Sequence, residues 1–333
     1  MSDDYLWDRS GPRDPDVEKL EKLLAPLAHD APLDQLRLRR KRPRWIVLGV
    51  VLAAAAFAGW LAIPSSHHEE LVACTQDGSG FRFVAEGGAV ACGGRQIATG
   101  VLPVGGVLDT GLHQVDLSIA DIGTAQLGPN TRVSLDRSTT AGHHLSIDHG
   151  HMHARVAAPP RLFAISTKHA EVTDLGCEYT IDVDASGAGS LHVLSGKVEL
   201  ATKSGAIVVA PAGTHTKILA GQAPGLPLRD AGDVAFEAAI DGYLAGDPSA
   251  FDTVLALASP ADAITLIDLA IIDAPHRPAV LAKLGQLAPP PEGVTIDGAA
   301  ANQHQLERWR EAIMITRFMS HSVPSPKSGK QMK

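Results

Sequence analysis

The chain has 333 residues, 45% of them hydrophobic and only 4% aromatic, with 29 Lys and Arg against 37 Asp and Glu, a formal net charge of −8. That balance disfavours a free-standing nucleic-acid binder, and 32 Gly with 22 Pro is ordinary for a turn-rich globular chain rather than a collagen-like or wholly disordered one. Three Cys without a C-x-x-C pair exclude a disulfide scaffold and a zinc ribbon, and the length suits about two domains.

Residues 1–44 form a short leader. Asp14 and Pro15 make an N-cap and first-turn pair, and Val17, Leu20, Leu24 and Leu27 then fall on one apolar stripe of a helix. Its other face carries Glu18, Lys19, Glu21 and Lys22. A helix of about a dozen residues is marginal alone in water, so the stripe needs a surface to lie against. Tyr5, Leu6 and Trp7 add bulky apolar groups that 44 residues cannot bury. The leader is expected to fold on a cytoplasmic partner as a helix in a groove with aromatic anchors. The alternative is packing on a membrane surface.

Residues 45–63, from Trp45 to Ile63, are 19 in number and carry no charge. At a rise of about 1.5 Å per residue they nearly match a hydrocarbon core of roughly 30 Å, and the run is predicted to be one transmembrane helix. Trp45 and Trp60 lie near its ends and Pro64 closes it. The alternative is a helix buried in a protein core, against which stands the polar stripe that a soluble helix normally shows; a secretory signal would not follow 44 residues. Arg37, Arg39, Arg40, Lys41, Arg42 and Arg44 precede the span, whereas no Lys or Arg follows until Arg82. The positive-inside rule therefore places the N-terminus in the cytoplasm and the bulk of the chain on the far side of the membrane. The basic cluster is a topology and headgroup anchor, not a direct nucleic-acid site.

Residues 64–96 are expected to be a linker or opening hairpin, with Cys74 and Cys92 as a possible disulfide worth roughly 3 kcal/mol in an oxidising compartment. From 97 to 221 the apolar period becomes two: Val115, Leu117 and Ile119; Leu145 and Ile147; Met152, Ala154 and Val156; Tyr179, Ile181 and Val183 all alternate with polar residues. Turns are expected at Gly128, Gly142, Gly150, Gly187, Gly196, Gly205 and Gly213. Short strands at such spacing predict a β-sandwich, a roll or a short β-solenoid. Residues 222–318 lengthen the period again. Helices are expected at Ala235 to Leu244, after Ser259-Pro260-Ala261-Asp262, along Val280 to Leu287, and from Gln303 to Phe318. The last stretch, 319–333, is a basic Ser/Pro/Lys tail expected to be disordered. The predicted class is mainly β with an α-helical C-terminal part.

The series LSIDHGHMHARV (145–156), LFAIST (162–167), EVTDLGCEYTIDV (171–183), LHVLSGKVEL (191–200) and APAG (210–213) resembles the FecR domain. Cys177 stands where that pattern usually has Thr, and Tyr179 where it has Phe. The resemblance implies a periplasmic sensing domain on a single-pass inner-membrane regulator of an extracytoplasmic-function sigma factor. Tyr5-Leu6-Trp7-Asp8 before a capped helix, and Pro289-Pro290-Pro291-Glu292-Gly293-Val294-Thr295 before a Trp-bearing helix, are similar to a short-leader subgroup. Implied partners are a sigma factor inside and an unidentified protein or ligand in the periplasm.

Chemistry is sparse. There is no H-E-x-x-H, G-x-S-x-G or G-x-x-x-x-G-K-[ST], so the common motif-based enzyme classes receive no support and no catalytic residue is assigned. The one local concentration is His143, His144, His149, His151 and His153. If Met152, Ala154 and Val156 point inward, His151 and His153 share the outward face at a spacing that can chelate zinc or copper, with His149 as a third ligand across a turn at Gly150. Solvent-facing histidines without a ligand are the alternative. Two functions therefore stand open: a membrane-anchored anti-sigma-type signal transducer, and an anchored envelope binding or scaffold protein.

Overall fold

The computed structural model describes residues 72–202, 205–221 and 224–316. The predicted leader helix, the apolar run at 45–63 and the tail at 319–333 lie outside the described residues, and with them Tyr5, Leu6, Trp7, Val17, Leu20, Leu24 and Leu27. Among the described residues no single helix is long and apolar enough to cross a membrane.

Alternation of apolar and polar side chains builds two sheets. The first runs, in spatial order, through β4 (Thr99–Leu102), β1 (Phe81–Glu86), β6 (Gln114–Ile119), β7 (Gly123–Leu127) and β9 (Gly142–Val156). It continues with β12 (Glu178–Val183), β13 (Gly189–Ser195), β16 (Thr214–Ile218) and β17 (Leu228–Arg229). The second runs through β3 (Arg95–Ile97), β2 (Val90–Cys92), β5 (Val107–Asp109), β8 (Arg132–Thr139) and again β9. Beyond β9 it holds β10 (Phe163–Ser166), β11 (Ala170–Asp174), β14 (Lys197–Thr202) and β15 (Ile207–Pro211). Among these named strands only β9 and β10 pair in parallel. A solenoid stacks its coils in parallel, so the arrangement is of the sandwich or roll type.

β6 shows how the sequence does this: Val115, Leu117 and Ile119 are buried while Asp116 and Ser118 face outward. The inward set includes Phe81, Phe83, Leu108, Leu135, Phe163 and Tyr179. Within the segment expected as a linker or opening hairpin, the described residues 72–96 carry strands, and Phe81, Phe83, Val90 and Cys92 enter this core. A disulfide joins Cys74 to Cys92, with Cα atoms 5.6 Å apart, and ties the chain entering the domain to β2.

β9 is the member common to both sheets. Residues 142–149 pair with β8, and residues 150–156 pair with β7 and β12. No turn forms at Gly150; the strand bends there and continues into the other sheet. Gly150 has φ +113°, and a Cβ on it would lie 2.4 Å from both the Cα and the Oγ1 of Thr131. Gly150→Ala is therefore expected to destabilise the protein by about 2 kcal/mol or more, read as a lowered thermal midpoint.

The C-terminal part is helical: α1 (Val234–Leu244), α2 (Ala250–Leu257), α3 (Ala263–Ile272), α4 (Arg277–Leu287), α5 (Ile296–Ala301) and α6 (Gln303–Met314). Asp233 caps α1 by accepting from the backbone N–H of Ala235 and Phe236. Ser259 and Asp262 close a capping box around Pro260 just before α3. α3 buries every residue from Ala263 to Ala270, against β15 on one side and α4 and α6 on others. The hydrophobic core is continuous from Cys74 to Met314, so strands and helices share it.

Candidate functional site: the histidine face and the sheet–helix junction

Because β9 alternates, Met152, Ala154 and Val156 are buried and His151, His153 and Arg155 lie on the outer face of the first sheet. Register with β12 sets Asp182 opposite His151 and Glu178 opposite Arg155. His151 Nδ1 lies 2.7 Å from Asp182 Oδ1. Glu178 Oε1 accepts from Arg155 Nη2 at 2.7 Å and lies 3.0 Å from His153 Nε2. The hydrogen bond from Arg155 holds the Glu178 carboxyl below its ordinary range, with His153 adding to the effect.

Two strands further on, His192 and His215 face each other across β13 and β16. Asp230 joins them, its Oδ2 2.7 Å from His192 Nε2 and its Oδ1 3.3 Å from His215 Nδ1. His215 Nε2 is 3.4 Å from Glu237 Oε1 and Lys217 Nζ donates to Asp241 Oδ2 at 2.5 Å, so α1 is tethered to the sheet by charge. The outer face is thus a set of imidazole–carboxylate pairs.

The structure does not gather the three histidines expected as metal ligands. His149 and His151 line one open hollow of about 510 Å³ with Asp182 and Asp184, whereas His153 lines another with Asp116, Gln126 and Arg155. Among the described residues no three His, Cys, Asp or Glu side chains are placed to hold a metal ion. The cause is the bend at Gly150, which carries His149 into the other sheet's register, and the nearby carboxylates, which occupy His151 and His153 one by one. His143 belongs to the core: it is buried, packs on Phe81 with ring centroids 5.7 Å apart, and lies 3.0 Å from Ser138 Oγ through Nδ1. Burial pushes its pKa down. His144 Nδ1 lies 2.9 Å from Asp136 Oδ2, with Nε2 at 3.1 Å from Ser166 Oγ. Cys177, the departure noted above, is buried and donates its thiol to Asp174 Oδ2 at 2.6 Å. Burial, together with that bond, pushes the thiol pKa up, so Cys177 is an inert core group.

A second polar site, which the sequence did not disclose, lies where β14 and β15 meet the helices. Asp268 sits in the middle of α3 at 0% exposure. Its Oδ2 accepts from the Val209 N–H at 3.0 Å and its Oδ1 from Arg310 Nη1 of α6 at 3.1 Å. One carboxylate thus pins strand, core helix and last helix together. Burial outweighs the attraction of Arg310 and pushes the Asp268 pKa up to about 6. Beside this pin opens a cleft of about 530 Å³ lined from the strand side by Arg161, Lys197, Glu199 and Ile207, and from α6 by Gln303, Glu307, Arg310, Glu311 and Met314. Arg161 Nη2 donates to both oxygens of Glu199, at 2.7 and 3.0 Å.

Residues 107–199, from β5 into β14, match the family model described as FecR protein. No curated protein matches the chain. Two crystal structures of a candidate anti-sigma factor from Parabacteroides distasonis are similar to it. One shares 17% identity over 35% of this chain and 55% of its own, with a TM-score of 0.28. The other shares 16% over 40% and 62%, with a TM-score of 0.32. The chain therefore spans little more than half the length of those proteins.

Proposed function

We propose that the chain is a regulator of the anti-sigma-factor type, anchored in the inner membrane by residues 45–63, with the FecR domain and its helices outside and the leader holding an extracytoplasmic-function sigma factor inside. The observation that carries this is the FecR match at 107–199, placed downstream of an uncharged run whose basic flank faces the leader. The leader offers Tyr5, Trp7 and the stripe of Val17, Leu20, Leu24 and Leu27 to a groove on that partner. A signal crossing through one helix needs two states of different free energy, so cleavage, association or movement of the whole span would couple outside to inside.

The test is capture of tagged full-length protein from solubilised membranes, with partners identified by mass spectrometry, beside a variant carrying Trp7→Ala and Leu24→Asp. The expected result is a sigma factor bound by wild type and lost from the variant, with transcription from its promoters rising in the variant strain. Capture of envelope proteins alone, with unchanged transcription, would instead make the chain an anchored periplasmic binding or scaffold protein.

A further inference from the structure

The cleft between β14, β15 and α6 has the chemistry of a ligand site. Gln303, Glu307, Arg310, Glu311 and Met314 recur at helical spacing and present one face of α6 to it. Arg310 is only 14% exposed, and the fully buried Asp268 behind it fixes its guanidinium through Nη1. A guanidinium carries five N–H donors, and this single bond leaves Nε and Nη2 for another acceptor. On the opposite wall the Lys197 ammonium, on β14, has no hydrogen-bond or ion-pair partner among the described residues, and neither has the Glu311 carboxylate of α6. Glu307 is engaged by Gln303 Nε2 alone, at 3.3 Å. Ile207, Ile271 and Met314 add apolar surface to the same cleft.

With Arg161 and Glu199 paired to each other, the cleft offers two cationic groups for a carboxylate, two anionic groups for an ammonium, and apolar lining beside them. A phosphate brings no cation of its own and would leave Glu307 and Glu311 unmatched, and a neutral sugar would leave both sets of charges unmatched. A volume of about 530 Å³ is in the range of small-ligand sites, roughly 300 to 1,000 Å³. We propose that this cleft binds a short free peptide, its C-terminal carboxylate held by Arg310 and Lys197 and its N-terminal ammonium by Glu307 and Glu311. The assignment is independent of the sigma-factor role, since it concerns only residues on the FecR side of the chain.

The experiment uses the purified full chain in detergent, incubated with an equimolar library of free tripeptides, with retained peptides identified by mass spectrometry after size exclusion. The comparison protein carries Lys197→Gln and Glu311→Gln, both surface changes, and its thermal midpoint is measured to show that it folds. A subset of tripeptides is expected on the wild type and to fall by about tenfold or more on the variant, since charge-assisted bonds are the strong ones. The same library with amidated C-termini, and separately with acetylated N-termini, is expected to lose retention. No retention at millimolar peptide, equal retention by the variant, or equal retention of amidated and free-acid peptides would each overturn the assignment.

Discussion

Trp309→Ala is expected to lower the unfolding free energy by about 4 kcal/mol, the usual cost of removing a buried aromatic side chain. Trp309 is 0% exposed, and its Nε1 donates to the Ala288 carbonyl at 3.1 Å. Ala288 is the C-terminal cap residue of α4, where carbonyls lack partners within the helix, so the indole both fills the core and satisfies a helix end. Truncation removes both at once. Trp309→Phe keeps most of the volume and loses only the hydrogen bond, so its loss should be clearly smaller. Denaturant titration followed by circular dichroism checks the pair, and equal losses would contradict this account.

The second large effect is a pH dependence centred on Asp268. Its pKa rises from 3.8 to about 6 on folding because burial disfavours the charged form. A raised folded-state value means that its contribution is fully present below about pH 4 and is lost as the pH rises through about 6. A shift of about 2 units corresponds to about 3 kcal/mol. The stability of Asp268→Asn relative to wild type should therefore move in the variant's favour by about 2.5 kcal/mol between pH 4 and pH 7.5. Unfolding curves of both proteins at the two pH values give this difference directly, and a difference independent of pH would show that the carboxyl is not titrating in this range.

Much of the β-domain was legible because burial on one face imposes a period of two. Val115, Leu117 and Ile119, or Tyr179, Ile181 and Val183, can be assigned inward from the sequence alone, and all six are buried. The behaviour of β9 was partly legible too. Its inward residues are odd-numbered at Leu145 and Ile147 and even-numbered at Met152, Ala154 and Val156, a change of parity that a turn or a bend can produce. The sequence favoured a turn at Gly150; the clash a Cβ would make with Thr131, which marks the bend, depends on a residue 19 positions earlier. Partners were harder still. Asp182 lies 31 residues from His151, and Arg310 lies 42 from Asp268, separations over which only register and helix packing decide who meets whom. Asp268 did leave a trace, as the one acid in AITLIDLAII. An uncompensated acid in a buried helix is a reason to look for a distant cation. The helices α2 and α5, with 8 and 6 residues, are too short to show a period, and α5 depends on the Thr295 cap.

Since β9 is the central member of two sheets, neither sheet can be completed or dismantled by itself. Withdrawing β9 would strip hydrogen bonds from β7 and β12 on one side and from β8 and β10 on the other in the same event. Such shared membership turns two layers into one cooperative unit, in which partly open forms are poorly populated. A pull applied where the chain enters the domain would then be met by the whole fold at once, as a rigid handle rather than as a spring.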